Sequence, residues 1–269
     1  LRPGLVTLTW TSMNIDAYKT HILQGLSKLE DLVTKVNDIV ESRIQKNLKL
    51  ISRSVIVNIP TEKAVALDEF VQMQEATVKA NTAYMASKNL EVETAVNDLV
   101  AVICGVPIEP GVEPILDSDI QELEGHFRNL TYQALLYCVK VSLNFIKKRT
   151  ASRPGVVLFP FFEVDVQLSV PSVRLSPSLD DIQRAINRSA VAILSVAKRM
   201  WQWGQGLVLE KNRKSMFDRM GQDIEIIKTV LLLTGAMQGT RNVVGEYLKE
   251  FARYDWIWKD DKEIAYKTF

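Results

Sequence analysis

Apolar side chains recur along residues 15–55 in steps of three, four and seven. That spacing belongs to a long helix with one face turned to a neighbour, close to the heptad of coil-packed rods. The seam runs Ile15, Tyr18, Ile22, Leu29, Leu32, Val36 and Ile39. Beyond Val40 it continues as Ile44, Leu48, Ile51 and Val55, offset from the first register. Such an offset is a stutter, which locally changes a supercoil. Asp31 and Lys35 are spaced to pair across one turn. Upstream, LRPGLVTLTWTS is extended. Pro3 and Gly4 make a turn, Leu5, Leu8 and Trp10 can seat against helices, and Ser12 or Asn14 can cap. Pro60 closes the run after the short extended exit SVIVNIP.

Four further helical runs follow. The second covers 67–104, with Phe70, Met73, Val78, Met85, Val92, Val96, Leu99 and Ile103 on its stripe, and Gly105 and Pro107 stop it. The third covers 119–148 with Ile120, Leu123, Phe127, Leu130, Ala134, Tyr137 and Val141. The fourth, 179–203, turns Ile182, Ile186, Ile193, Val196 and Met200 inward, and Gly204 and Gly206 break it. The last, 216–258, is apolar on more than one side near Ile226, Ile227, Val230, Leu231 and Leu233, which predicts cover from several neighbours. It ends in Phe251, Tyr254, Trp256 and Trp258.

Residues 149–177 interrupt this helical pattern. Val164, Val166, Leu168 and Val170 alternate with Glu163, Asp165, Gln167 and Ser169, the period of a half-buried strand. Pro171 and Pro177 punctuate the chain, and Ser178 stands at an N-cap position with Asp181 three residues on. The fold class read from these patterns is mostly α: elongated antiparallel helical bundles with one short strand-like insertion near 159–175. A plausible division is a helical hairpin over 1–104, a loop or junction over 105–118, and a second helical bundle over 119–269. No repeat of fixed period points to a solenoid.

Catalytic chemistry finds little footing. No two glycines stand five apart, so no phosphate-binding P-loop forms, and Gly204 and Gly206 lack the third glycine of a dinucleotide fingerprint. His21 and His126 are isolated, without metal-ligand spacing. Cys138 and His126 would pair as nucleophile and base only through the fold. Asp180 and Asp181, like Asp260 and Asp261, suit a helix first turn better than acid–base work. No catalytic, cofactor-binding or metal residue is therefore assigned. Trp201, Trp203, Trp256 and Trp258 leave three readings open: core packing at helix ends, anchors of a protein interface, or a stacking platform for single-stranded nucleic acid. A net charge of +1 counts against the last and against an anionic lipid surface. The basic clusters Lys147–Lys148–Arg149 and Lys211, Arg213 and Lys214 read as solvated helix ends or loops. Cys104 and Cys138 read as two buried thiols in a reducing compartment. No apolar run reaches membrane-span length and no signal segment is evident. These features suit a soluble intracellular chain, a piece of a longer one.

The opening LRPGLVTLTWTSMNIDAY resembles a phrase of dynein heavy-chain tails, where a proline–glycine turn precedes an L-x-W-T-S element and a long helix. The segments KVNDIVESRIQKNLKLISRSVIVNIPTEKAVALDEFV at 35–71, KNLEVETAVNDLV at 88–100, residues 159–203 and YDWIWKDDKEIAYKTF at 254–269 are similar to that family in the same order. The likeness spans nearly the whole chain, is weakest over 105–126, and is closest to the gamma class of outer-arm axonemal heavy chains. It implies a tail segment upstream of the linker of an ATP-driven microtubule motor, in the cytoplasm and cytoskeleton, at the axoneme of a cilium or flagellum. It implies no nucleotide chemistry within 1–269, with ATP and Mg bound elsewhere in the full chain. The implied partners are other dynein heavy chains, intermediate and light chains, and docking proteins of the doublet, with neither nucleic acid nor membrane. Two other readings compete. One is a helical scaffold or adaptor segment of another cytoskeletal or trafficking complex; the other is an enzyme of unrecognised type.

Overall fold

The structure, a computed structural model, describes residue 9 and residues 15–60, 63–106, 115–150, 160–169, 172–204, 214–254 and 256–268. The expected turn at Pro3–Gly4, the seating of Leu5, Leu8 and Trp10, the caps at Ser12 or Asn14, and the roles of Gly206, Lys211 and Arg213 lie outside them.

The first seam forms one unbroken rod: α1 (Ile15–Asp38), a π-helical stretch (Ile39–Gln45) and α2 (Lys46–Arg53). The offset register is absorbed here. Ile39 and Ile44 stand five residues apart, one step too long for an α turn. The i→i+5 bonding of a π turn takes up the extra residue. Ile44 is thereby buried beside Val92, Val96 and Leu99, with Ile39 packed at the edge. The stutter thus appears as a wide turn within the rod.

Helix α3 (Leu67–Cys104) has the bounds its periodicity predicts, and its 38 residues span about 57 Å. Helix α4 (Asp117–Thr150) is nearly as long, and Leu123, Phe127 and Ala134 of its expected stripe do meet the cores, but the rest of the buried face differs. Leu130 and Tyr137 are exposed, while Phe127, Thr131, Leu135, Cys138, Ser142 and Ile146 point inward. Small polar residues can enter this row because their hydroxyls bond back to their own helix. Thr131 donates to the Phe127 carbonyl and Ser142 to that of Cys138, each at 2.9 Å. A count of apolar letters alone passes over them.

Cross-contacts fix the directions. Arg43 meets Asp98 and Gln74 meets the Asn58 carbonyl, so α3 runs against α1–α2. The Ile56 amide donates to Ser142 and the Cys138 thiol to the Ser54 carbonyl, so α4 runs with them. Helix α5 (Leu179–Ser195) starts beside Leu67 and Val71 and leads to residues 201–203 beside Asn89, which makes it parallel to α3. The arrangement is an up-down-up-down four-helix bundle. Its main core draws Ile51, Phe70 and Met85 from one side of the 105–118 junction and Leu135, Leu143, Ile186 and Ile193 from the other.

Strands β1 (Asp165–Ser169) and β2 (Ser172–Ser176) form an antiparallel hairpin between α4 and α5, with Asp165 opposite Ser176. Two expectations change. Val164, Val166 and Leu168 are exposed, so the alternation marks a hairpin laid on the surface instead of a half-buried strand. A second strand, Ser172–Ser176, stands where the sequence shows only punctuation, and it ends just before Pro177; Val170 and Pro171 lie outside the described residues. Phe161 and Phe162 anchor the hairpin. They stack at 4.2 Å and both meet the buried Phe70 edge-on. The Val65 amide donates to the Phe161 carbonyl, and the Glu163 amide to that of Val65.

Ser178 caps α5 as expected, in a reciprocal box with Asp181. All five residues expected to face inward from the fourth run are buried. The helix stops at Ser195, however, and passes through a 3-10 turn (Val196–Arg199) into extended backbone. The expected long last helix is instead several: α6 (Met216–Met220), α7 (Ile224–Thr234), α8 (Gln238–Phe251), a 3-10 turn (Ala252–Tyr254), α9 (Trp256–Lys259) and α10 (Lys262–Thr268). Gly221 ends α6, and Asp223 caps α7 by accepting from the amides of Glu225 and Ile226. Helix α7 is covered on one side only. Ile226 and Leu233 are buried, whereas Ile224, Ile227, Leu231 and Leu232 are exposed.

Candidate functional site

The most elaborated polar arrangement joins α3, α4 and the chain after α5. Asn89 interrupts the apolar stripe of α3 between Met85 and Val92 and is buried. Its carboxamide is used on both sides. Oδ1 accepts from Trp203 Nε1 and Nδ2 donates to the Trp201 carbonyl, each at 3.1 Å. Arg128 of α4 donates to the Trp203 carbonyl at 2.5 Å. Burial lowers the Arg128 pKa, and the nearby charge of Glu124 opposes that shift. Gly204 turns the chain here with φ +124°, and a Cβ at this position would lie 2.6 Å from Arg128 Nη1 and 3.0 Å from Glu124 Oε2. These groups lock three elements together.

The tryptophans therefore separate. Trp203 is core, 1% exposed, beside Val92, Val96 and Phe127. Trp201 and Trp256 are about half exposed (46% and 55%), which suits contact with another protein surface. The side chain of Trp258 lies outside the described set. Of this group the sequence marks Gly204 alone, as a break in the chain, and passes over Asn89, Glu124 and Arg128. The available signal was a polar residue inside an apolar seam, the mark of a register-setting contact.

Each other chemical candidate has a structural place. His126 and Cys138 sit on one helix, twelve residues or about 18 Å apart along its axis, and form no pair. Burial pushes the Cys138 thiol up to about 12, which disfavours the nucleophilic thiolate. Cys104 is exposed, against the expectation of two buried thiols, because it ends α3 where the bundle opens. The hydrogen bond from Ser178, with Arg184 close by, lowers the Asp181 pKa, and Asp180 pairs with Arg241 of α8. Asp261 accepts from the Glu263 amide at the start of α10. Arg149 donates to the Pro60 carbonyl and lies over the Phe161 ring, so this part of the basic cluster is a structural clasp. Lys140 reaches Asp223 and Glu225, tying α4 to α7; the Glu225 hydrogen bond is the main reason its pKa is raised. Among the described residues no three His, Cys, Asp or Glu side chains gather as a metal site, and no helix is long and apolar enough to cross a membrane.

What the surface does carry is apolar area on helices. Leu23, Leu26, Leu29 and Val33 are exposed on α1, and Ile227, Leu231, Leu232, Val243 and Tyr247 on α7 and α8. Strips like these suit helix-in-groove packing better than small-molecule chemistry.

This architecture is that of a mostly α-helical bundle with a two-stranded hairpin, and sequence comparison gives the family. The whole chain aligns at 37% identity with 6% of the dynein gamma chain of the flagellar outer arm of Chlamydomonas reinhardtii. It aligns at 24% with 8% of mouse (Mus musculus) dynein axonemal heavy chain 5, and at 23% with 8% of human (Homo sapiens) dynein axonemal heavy chain 8. No family model matches the chain. The chain belongs to the axonemal dynein heavy chains, components of the cytoskeleton of cilia and flagella. It spans less than a tenth of the length of these three relatives.

Proposed function

We propose that the chain is a non-catalytic tail segment of its heavy chain, upstream of the linker. In this reading it anchors an ATP-driven microtubule motor to the doublet, transmits force, and binds accessory chains or neighbouring heavy chains. The observation that carries the reading is the lengthwise tying of long helices by contacts between sequence-distant residues: Arg43 with Asp98, Ile56 with Ser142, Asn89 with Trp203. Stretching such a bundle must break many hydrogen bonds and packed contacts together, so load passes along it with little extension. ATP and Mg are assigned to other parts of the full chain. Intermediate and light chains, other heavy chains and doublet docking proteins are the partners this reading implies.

The test is replacement. Exchanging residues 15–268 for a flexible glycine–serine linker of equal contour should leave ATP turnover of the soluble full-length motor in place. Arm attachment or force per arm on the doublet should be lost. The purified 269-residue chain should show no nucleotide turnover. Native attachment and force from the linker-bearing motor, or turnover that survives repurification of the chain, would overturn the reading.

A further inference from the structure

Helix α1 runs past the bundle it belongs to. The Arg43–Asp98 and Gln74–Asn58 contacts place the end of α3, at Cys104, opposite residues near Val36. The Ser54–Cys138 and Ile56–Ser142 contacts place the start of α4, at Asp117, opposite residues near Leu32. Residues 15 to about 32 therefore overhang both helices by about 25 Å. No residue of Ile15–Asp38 is buried, and Leu26, Leu29 and Val33 are each about half exposed (49%, 53% and 47%).

The overhang is patterned. With Ile15 at a heptad a position, the seam reads Ile15, Tyr18, Ile22, Gly25, Leu29 and Leu32, before Val36 packs against the bundle core. Leu26 and Val33 widen it at e. A Cβ built on Gly25 meets nothing within 4 Å, so the seam has a notch that a large side chain could enter. The flanking e and g positions carry Lys19, His21, Lys28 and Lys35, and no carboxylate. Asp16, Glu30, Asp31 and Asp38 fall at b and c, off the seam, and Asp16 reaches Lys19 at 3.7 Å. In heptad packing the e and g rows choose the partner. A second antiparallel copy would set lysine row against lysine row, and a parallel copy would set Lys28 and Lys35 against apolar e positions. Neither copy supplies an opposite charge.

We propose that the overhanging face of α1 docks an amphipathic helix of a protein partner whose apolar heptad seam is flanked by Asp or Glu. A large side chain of that helix fills the notch at Gly25, and its carboxylates face Lys28 and, where the overhang meets the bundle, Lys35. The inference rests on the chain being one part of a larger assembly. Its test turns on α1 alone, so it can fail while the linker-replacement result stands.

The test is fluorescence anisotropy with two labelled helical peptides of about four heptads, leucine at a and d, one with Glu and one with Lys at e and g. The acidic peptide binds the full chain, and binding weakens as salt rises. In the double variant Lys28→Glu/Lys35→Glu, affinity for the acidic peptide falls about tenfold and preference passes to the basic one. Leu29→Asp abolishes both, with the melting temperature unchanged because the overhang carries no core residue. Equal binding of the two peptides, no binding, indifference to the lysine reversal, or self-association lost in Leu29→Asp on sedimentation would each overturn the proposal.

Discussion

Trp203 Nε1 donates to Asn89 Oδ1 across 3.1 Å, joining residues 114 positions apart in the chain. Both groups are buried, so neither has water as an alternative partner. Asn89→Leu strands the indole N–H and the Trp201 carbonyl and should cost about 2–4 kcal/mol. The urea midpoint measures it. The double variant Asn89→Leu/Trp203→Phe removes the stranded donor and should recover part of that loss. A double variant no more stable than the single one would mean that packing, not the hydrogen bond, sets the cost.

Gly204 is required twice over, by its φ of +124° and by the approach of Arg128 and Glu124. Gly204→Ala should lower stability by about 2 kcal/mol or more. If strain alone were responsible, Gly204→Asn, which tolerates positive φ better, would rescue it. The close contacts predict that it will not, and thermal melts of the two variants decide between the causes.

The π stretch makes a prediction that a regular helix would not. Deleting Glu41 shortens the Ile39–Ile44 step from five residues to four and converts the wide turn to an α turn. Ile39 then still stands one turn from Ile44, and Val36 and Ile39 keep their face to the buried cluster, so the melting temperature should shift by no more than about 4 °C. Deleting Lys49 from α2 instead rotates Ile44 relative to Ile51, both fully buried, and should unfold the chain or cost several kcal/mol. Equal damage from the two deletions would refute the role given to the wide turn.

The thiols should differ in rate and in pH dependence. Cys104 is exposed and should react with a maleimide at once, and Cys138 only as the bundle opens. Cys138 also binds its proton more tightly when folded, at about 12 against 9.0. Above pH 9 the unfolded state sheds that proton and the folded state keeps it, so the Cys138 contribution to stability falls between about pH 9 and 12. Its slope is at most about 1.4 kcal/mol per pH unit. Cys138→Ala should flatten the alkaline limb of denaturant-derived stability against pH; an unchanged limb would assign it to other groups.

Helix positions were legible where apolar residues alone make the contact, as on α3 from Phe70 to Ile103 and on α5 from Ile182 to Val196. They were misread on α4, where Thr131 and Ser142 enter the core by satisfying their hydroxyls on the preceding turn. The run after Met216 looked continuous because its apolar residues cover more than one face. The breaks lie at Gly221, at Asp223 and at Gly235, the residue that ends α7, and their capping role depends on backbone angles that composition does not reveal. The hairpin's exposure was hidden for a different reason. Alternation reports which side chains share a face of a strand, not whether anything covers that face. The Asn89 junction left one trace, a polar letter in an apolar seam. Its partners Arg128 and Trp203 come from distant elements that only the bundle's up-down order brings together.

The most direct measurement is a density map of an intact arm on its doublet, at a resolution that separates helices. The account predicts residues 15–268 as a four-helix bundle within the stem, between the ATPase ring and the doublet, with α1 overhanging and no nucleotide density among its helices. Residues found within the ring, or bundle helices surrounding a bound nucleotide, would contradict it.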